Sequence, residues 1–491
     1  MSLRMFQTIP FRPQTVAIGI ISASLLPILA AQPIAIGTRP ELFVDDYLID
    51  RMEGGAELRL HSPQPREIVM VFDRAWEGNA CSVSTVFRDG DTYRMYYRAE
   101  NYVSVGGKAT HPAFLCYAES DDGIRWRRPN MGQVEFEGSK QNNIITRAGI
   151  VPFKDTNPQR SDEALYKGFD IVSFTNPRHR ELFAYQSADG IRWKQMSNKS
   201  VMPNNVTPRA FDTVNVAFWD AERGEYRAYV RDWRDGKRDT KTATSKDFLN
   251  WSTPQWLEYP GAAQENLYTS MVRPYARNPK LFIGFPTRIL THRGDITEPL
   301  FMTSRNGATF RLWEESIIRP GRNTDRWGNR CNYIWYGLIE TASELPGKPL
   351  EYSLFTDERY YMKGGVKLRR FTYRPDGFVS VNAPFRGGEV VTKPLVFSGK
   401  HLILNFSTAA AGSLRVEIQD QTGKPIPGFA LTDCNEVFGD EIDRVISWKN
   451  IRDLSALANQ AVRLRVKMKD ADLFSLRFGD EKEKGSVKAP G

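Results

Sequence analysis

The chain is poor in the groups that hold metals. Of its 491 residues only five are histidine and four are cysteine. The histidines are scattered, and Cys81, Cys116, Cys331 and Cys434 form no CxxC pair. No metal site is therefore expected, because zinc sites draw on closely spaced ligand pairs. The thiols are expected to be mostly buried and free, since a chain this long needs no disulfide framework. Long apolar runs are also scarce. The single one, 16–30, is short for a spanning helix, follows Arg4 and Arg12, and ends at Leu29-Ala30-Ala31. That pattern reads as an export signal over residues 1–31, leaving a secreted or periplasmic chain with no membrane attachment. No phosphate-cradling or other cofactor motif is present, so no cofactor is expected.

Charge excludes little but points somewhere. The formal charge is +9, or +7 once the two leader arginines are subtracted. The basic residues are dispersed and match no nucleic-acid module. For an exported protein, the natural anionic partner is a uronate-containing or sulfated glycan.

The aromatics are abundant, and several sit in a repeated phrase. It reads Ser120-Asp121-Asp122-Gly123-Ile124-Arg125-Trp126, then Ser187-Ala188-Asp189-Gly190-Ile191-Arg192-Trp193, then Ser245-Lys246-Asp247-Phe248-Leu249-Asn250-Trp251. A looser copy runs from Ser304-Arg305-Asn306-Gly307 to Trp313. The copies lie roughly 60 residues apart, enough for four strands and their loops. Ser ends a strand, Asp-Gly turns tightly, and Trp opens the next strand. Asp122, Asp189 and Asp247 are thus structural, and Trp126, Trp193 and Trp251 are wedges between sheets.

These landmarks predict five four-stranded blades at about 76–129, 150–195, 210–256, 264–315 and 327–373. Residues 41–49 would close the ring by pairing with the last blade. Beyond Arg374-Pro375-Asp376-Gly377 the phrase stops and alternating strands take over. The predicted fold is all-β: a five-bladed β-propeller over 38–374, a C-terminal β-sandwich over 375–480, and a polar tail over 481–491.

In a propeller, the inner strand of each blade begins near the central pocket. The acids at those starts are Glu77, Asp155, Asp212 and Glu265, and the last blade offers Asn329 and Arg330. Converging carboxyls suit glycosidic cleavage, which needs one acid to protonate the leaving oxygen and one carboxylate to attack the sugar or activate water. Each has a structural alternative; Asp155, for instance, lies in Lys-Asp-Thr-Asn-Pro, a turn-capping context. Asp45 and Asp46 are adjacent, so one of them at most faces inward. Arg209, Arg273 and Arg330 are candidates for binding a carboxylate or sulfate. Trp76 and Trp327 are candidate sugar platforms, and Asn79 lies beside the first of them.

The repeat with its SxDGxxW turns resembles the five-bladed propeller glycosidases of glycoside hydrolase families 32, 43 and 68, over most of residues 40–480. The turn is also similar to the Asp box of the six-bladed sialidases. The resemblance implies a propeller with three axial acids on the first three blades. The family-32 pattern Trp-Met-Asn-Asp-Pro-Asn falls near Trp76-Glu77-Gly78-Asn79-Ala80-Cys81, where the nucleophilic Asp is absent and Glu77 is the nearest acid. Lys154-Asp155-Thr156 echoes the second motif, Asp212 matches the third acid in position, and Asp45 or Asp46 would replace the missing one. The expected activity is a glycoside hydrolase acting on a polysaccharide or oligosaccharide. A glycan-binding propeller without catalysis and a protein-interaction scaffold remain the alternatives.

Overall fold

A computed structural model describes residues 32–480 apart from 106, 176–177, 203–208 and 348–349. The expected leader and tail lie outside the described residues. Apart from four 3-10 turns, every described element is a strand.

Five four-stranded antiparallel sheets account for the repeats. The first holds Ser82–Asp89, Thr92–Ala99, Phe114–Ser120 and Ile144–Thr146. The second runs from Val151–Lys154 to Lys194–Gln195, and the third from Val216–Asp220 to Gln255–Trp256. The fourth runs from Arg273–Tyr275 to Arg311–Trp313. The fifth combines Ile339–Ala342, Leu350–Glu358 and Lys367–Tyr373 with Gln64–Val71, which precedes the first sheet in sequence. A separate three-stranded sheet, Leu267–Thr269 with Thr287–Leu290 and Ile296–Pro299, takes up part of the span expected for the fourth repeat.

The repeated phrase folds the same way four times. In the first copy the Ser120 hydroxyl donates to Asp122 at 2.9 Å and accepts from the Gly123 amide at 2.9 Å. Asp122 Oδ1 then accepts the amides of Ile124 and Arg125 at 2.8 and 2.7 Å. Asp189, Asp247 and Asn306 repeat this arrangement. The residue after each lies in the left-handed region, at φ 74°, 78°, 68° and 78° for Gly123, Gly190, Phe248 and Gly307. Phe248 has no glycine freedom there, and its fully buried ring stacks on Phe169 at 4.9 Å, which offsets the strain.

Each turn lies against the preceding sheet. Arg94 of the first sheet donates to the Asp189 carbonyl at 2.7 Å, and a Cβ on Gly190 would meet the Tyr96 hydroxyl at 2.4 Å. Phe248 of the third packs on Phe169 of the second, and Tyr229 of the third donates to the Gly307 carbonyl of the fourth at 2.9 Å. Tyr275 of the fourth and Tyr352 of the fifth have ring centroids 5.8 Å apart. Trp126 of the first meets Phe355 of the fifth at 6.0 Å. The contacts between sheets therefore run in a cycle.

Two expectations change. Residues 41–49 do not pair with the last sheet. Glu41–Leu42 pairs with Val462–Gly479 instead, and the strand completing the fifth sheet is Gln64–Val71. Burial is the reason: Ile36, Phe43, Leu48 and Ile49 fill a core shared with Val390, Leu404, Trp448 and Val466. Residues 34–60 thus belong with the C-terminal strands. Those strands also form one ten-stranded hydrogen-bonded sheet, because His401–Asp420 and Val462–Gly479 run unbroken for 20 and 18 residues and bend at register shifts.

The turn acids should govern acid stability. Burial raises the Asp247 pKa, but the Asn250 amide and the other donors outweigh it and bring it to about 2; the Asp122 and Asp189 pKa values are lowered likewise. A carboxyl with a depressed folded pKa stabilises above its unfolded value and loses that contribution as pH falls through the folded one. Urea midpoints should therefore fall between about pH 4 and pH 2. Asp189→Ala should cost about 1–2 kcal/mol at pH 7 and flatten part of that dependence.

Candidate functional site

A cleft of about 640 Å3 opens where the sheets converge, and it takes residues from near all five. The first sheet contributes Ser82, Ser84, Arg98 and Glu100; the second, Asp170, Ser173 and Arg180. Asp212 and Thr213 precede the third, Tyr268 precedes the fourth, and Arg330, Tyr333, Trp335 and Tyr361 flank the fifth. A register shift between Val83 and Thr85 marks a bulge in the strand whose Ser82 and Ser84 reach the cleft.

Left-handed backbone recurs on this lining and at residues next to it in sequence. Phe211, Arg330, Asn332 and Tyr361 have φ of 64°, 59°, 63° and 62°. Each non-glycine residue held there costs on the order of 1 kcal/mol, and such strain concentrates at functional sites.

Three carboxyls line the cleft: Glu100, Asp170 and Asp212. Glu100 pairs with Arg98 at 3.2 Å and accepts from the Tyr102 hydroxyl at 2.8 Å. Asp170 is buried, and its Oδ1 accepts the Gly149 amide at 2.7 Å. Burial raises its pKa, and the amides of Gly149 and Ile171 offset this only in part. Asp212 keeps 52% of its side chain exposed and pairs with Arg180 at 3.2 Å and Arg231 at 3.4 Å. The cleft therefore holds one carboxyl biased toward its protonated form and two that face guanidinium groups.

Of the residues singled out in the sequence, Asp212 and Arg330 line this cleft and the others do not. Glu77 is fully buried, where it accepts from the Tyr97 hydroxyl at 2.5 Å and pairs with Arg128 at 2.9 Å. Trp76 is locked beside it, with Nε1 donating to Asn143 at 2.8 Å. Asn79 donates to the Tyr102 carbonyl at 2.9 Å and accepts the Tyr102 amide at 2.9 Å, so it holds a cleft residue in place. Asp155 is fully buried and pairs with Lys167 at 2.7 Å while accepting from Tyr226 of the third sheet at 2.7 Å. It clamps the second sheet to the third. Glu265 pairs with Arg288 at 2.9 Å.

Asp45 pairs with Arg305 at 3.0 Å, tying the N-terminal segment to the fourth turn, and Asp46 is exposed beside it. The Arg209 guanidinium lies 5.1 Å from the Trp233 ring, and that of Arg273 lies 5.7 Å from Tyr336. Trp327 is half exposed and donates to the Gly321 carbonyl at 2.8 Å. Asn329 keeps a buried Oδ1 without a partner among the described residues. All four cysteines are buried and free, and no cluster of His, Cys, Asp or Glu among the described residues suits a metal.

Glu100 and Asp170 were not anticipated, and strand direction explains why. The starts of the first strands do not include them. The second strand runs back antiparallel, so its distal part returns to the same end: Arg98 pairs with Ser82 and Phe169 with Val151. A lone acid in the apolar run Phe169-Asp170-Ile171-Val172 was the available signal.

No family model matches the chain. Two curated relatives, uncharacterized proteins from two strains of Mycobacterium tuberculosis, are each 25% identical over 133 residues, covering 27% of this chain and 39% of their own length. The chain thus spans well under half of the relatives that it matches. Solved structures similar to it include a glycoside hydrolase (TM-score 0.42, 14% identity, 63% of this chain and 92% of that one). A GH32 β-fructofuranosidase of Bombyx mori gives TM-score 0.39 and 10% identity, over 86% of this chain and 94% of that one. An N-acetylgalactosamine deacetylase from F. plautii gives 0.41 and 11%, over 64% and 94%.

Breaking the buried clamps should cost stability. Asp155→Ala and Glu77→Ala each strand a buried cation and should lower unfolding free energy by about 3–5 kcal/mol, read from urea denaturation. Asp212→Asn keeps an amide oxygen for Arg180 and the buried Arg231 but removes their one carboxylate, and should cost about 1–3 kcal/mol.

Proposed function

We propose that the five sheets are the blades of a propeller, that residues 34–60 and 378–479 form a second β-unit beside it, and that the cleft is the active site of an exported hydrolase cleaving a glycosidic bond. The observation that carries this reading is the meeting of Asp170 and Asp212 in one cleft. Asp170, buried and with a raised pKa, is suited to protonate the departing glycosidic oxygen. Asp212, exposed and flanked by arginines, is suited to attack the sugar or to activate water. Glu100, fixed by Arg98 and Tyr102, is a third carboxylate able to orient the ring hydroxyls. Tyr102 and Tyr361, the partly exposed rings of the lining, supply faces on which a sugar stacks. The cleft volume falls within the range of small-ligand sites and suits one or a few sugar units. Arg98, Arg147, Arg180 and Arg330 outnumber the three acids of the lining, which favours a uronate-containing or sulfated substrate.

The test is reducing-sugar release from neutral, uronate-containing and sulfated polysaccharides by the purified protein. Asp212→Asn and Asp170→Asn should each lower release at least about 100-fold at a temperature where circular dichroism shows the variant folded. A proton donor fails as pH rises through its pKa, so the basic limb of the kcat/KM profile should disappear in Asp170→Asn. Release that survives both substitutions would remove the catalytic assignment. Retention of a glycan with no release from any would move the protein to a glycan-binding propeller.

A further inference from the structure

One wall of the cleft carries far more positive charge than its contacts neutralise. The Tyr268 ring has three guanidinium groups around it, those of Arg231 and Arg238 each 5.1 Å and that of Arg330 5.5 Å from its centroid. Arg180 lines the same cleft. Among the described residues Asp212 alone is a carboxylate ion-paired with any of these four arginines, and it serves both Arg180 and Arg231. Arg231 is 3% exposed, yet its Nε and Nη1 have no hydrogen-bond partner among the described residues. The same holds for Nε of Arg238 and of Arg330. A buried guanidinium left unpaired is costly, and here the like charges add repulsion. In keeping with this, burial together with Arg238 and Arg180 depresses the Arg231 pKa. Arg330 is held by one hydrogen bond to the Tyr361 hydroxyl at 2.9 Å and by a left-handed backbone at φ 59°, so its place is fixed before any ligand arrives.

A solvated structural face does not explain this, because solvated arginines lie at the surface and need no aromatic support. The planar guanidinium forks of Arg180 and Arg330 on the lining match an oxyanion, and the charges of Arg231 and Arg238 beside Tyr268 add to the attraction. We propose that Arg180 and Arg330 on the cleft lining, backed by the buried charge of Arg231 on Tyr268, form a subsite for an oxyanion borne by the sugar, either a uronate carboxylate or a sulfate ester. The subsite adjoins Asp212, so the charged sugar sits next to the scissile bond and not at a remote position on the chain. The proposal rests on the cleft being a glycan site, and it fixes the substrate class and the sugar that the cleft selects.

The test is calorimetric titration of the full chain with four probes: a galacturonate trisaccharide, a sulfated galactose trisaccharide, the neutral galactose trisaccharide and inorganic sulfate. A charged trisaccharide should bind at least about tenfold more tightly than the neutral one at low salt, and that preference should shrink as salt approaches about 0.5 M. The charged probe that wins identifies the oxyanion. Arg330→Gln should reduce the charged-to-neutral preference about tenfold, and Arg330→Lys should restore it only in part. Should either variant fold poorly, the salt dependence of the parent decides the matter. Equal binding of charged and neutral sugars overturns the subsite and leaves the glycan reading standing. Binding of inorganic sulfate without any trisaccharide overturns the glycan reading and retains an anion site. No binding by any probe removes both.

Discussion

The architecture depends on a turn in which one side chain does the work of several backbone partners. Ser and Asp of the repeated phrase together absorb four or more hydrogen bonds within a few residues, and this leaves the following backbone free to bend sharply. A position without a Cβ then lets the turn press against the neighbouring sheet. The contact is too close for anything larger, since a Cβ at Gly190 would collide with Tyr96. Where the third copy replaces glycine with Phe248, the side chain points into the adjoining core and becomes the contact. The local turn and the spacing between sheets are therefore the same constraint met in two ways.

That constraint places the cleft. The sheets touch in a cycle, and residues from near all five line one cleft. Buried ion pairs hold the sheets in register around it: Asp155 with Lys167 and Tyr226, and Glu77 with Arg128 and Tyr97. These groups are satisfied and enclosed, so they fix geometry. The cleft groups differ. Asp212 is half exposed, Asp170 is buried and undercompensated, and the arginine wall is left with unused donors. This contrast between satisfied clamps and unsatisfied lining separates framework from site more sharply than residue type does.

The aromatic content has two uses accordingly. Trp126 and Trp251 wedge between sheets, as the repeat implied. Tyr268 and Tyr361 instead line the cleft, where their rings support guanidinium groups, and Tyr333 and Trp335 pack edge to face within the same lining. Trp76, which the sequence offered as a platform, is consumed in the Glu77 network by its hydrogen bond to Asn143.

The sequence by itself determined the all-β class, the repeated turns with their structural acids, and the change of pattern after Gly377. These are local: a turn is written in consecutive residues, and an alternating strand in its own period of two. It also singled out Asp212 and Arg330, two residues of the cleft lining. Tertiary structure alone decided the rest. Whether Asp155 or Asp170 faces the cleft depends on which antiparallel strand returns to which end and on the cation that each meets. Lys167 and Tyr226 lie 12 and 71 residues from Asp155, too far for spacing to reveal. The partner of residues 41–49 was likewise set by which core could bury Phe43 and Leu48. Burial and pairing at a distance are properties of the folded chain, and the assignment of each acid to framework or to site follows from them.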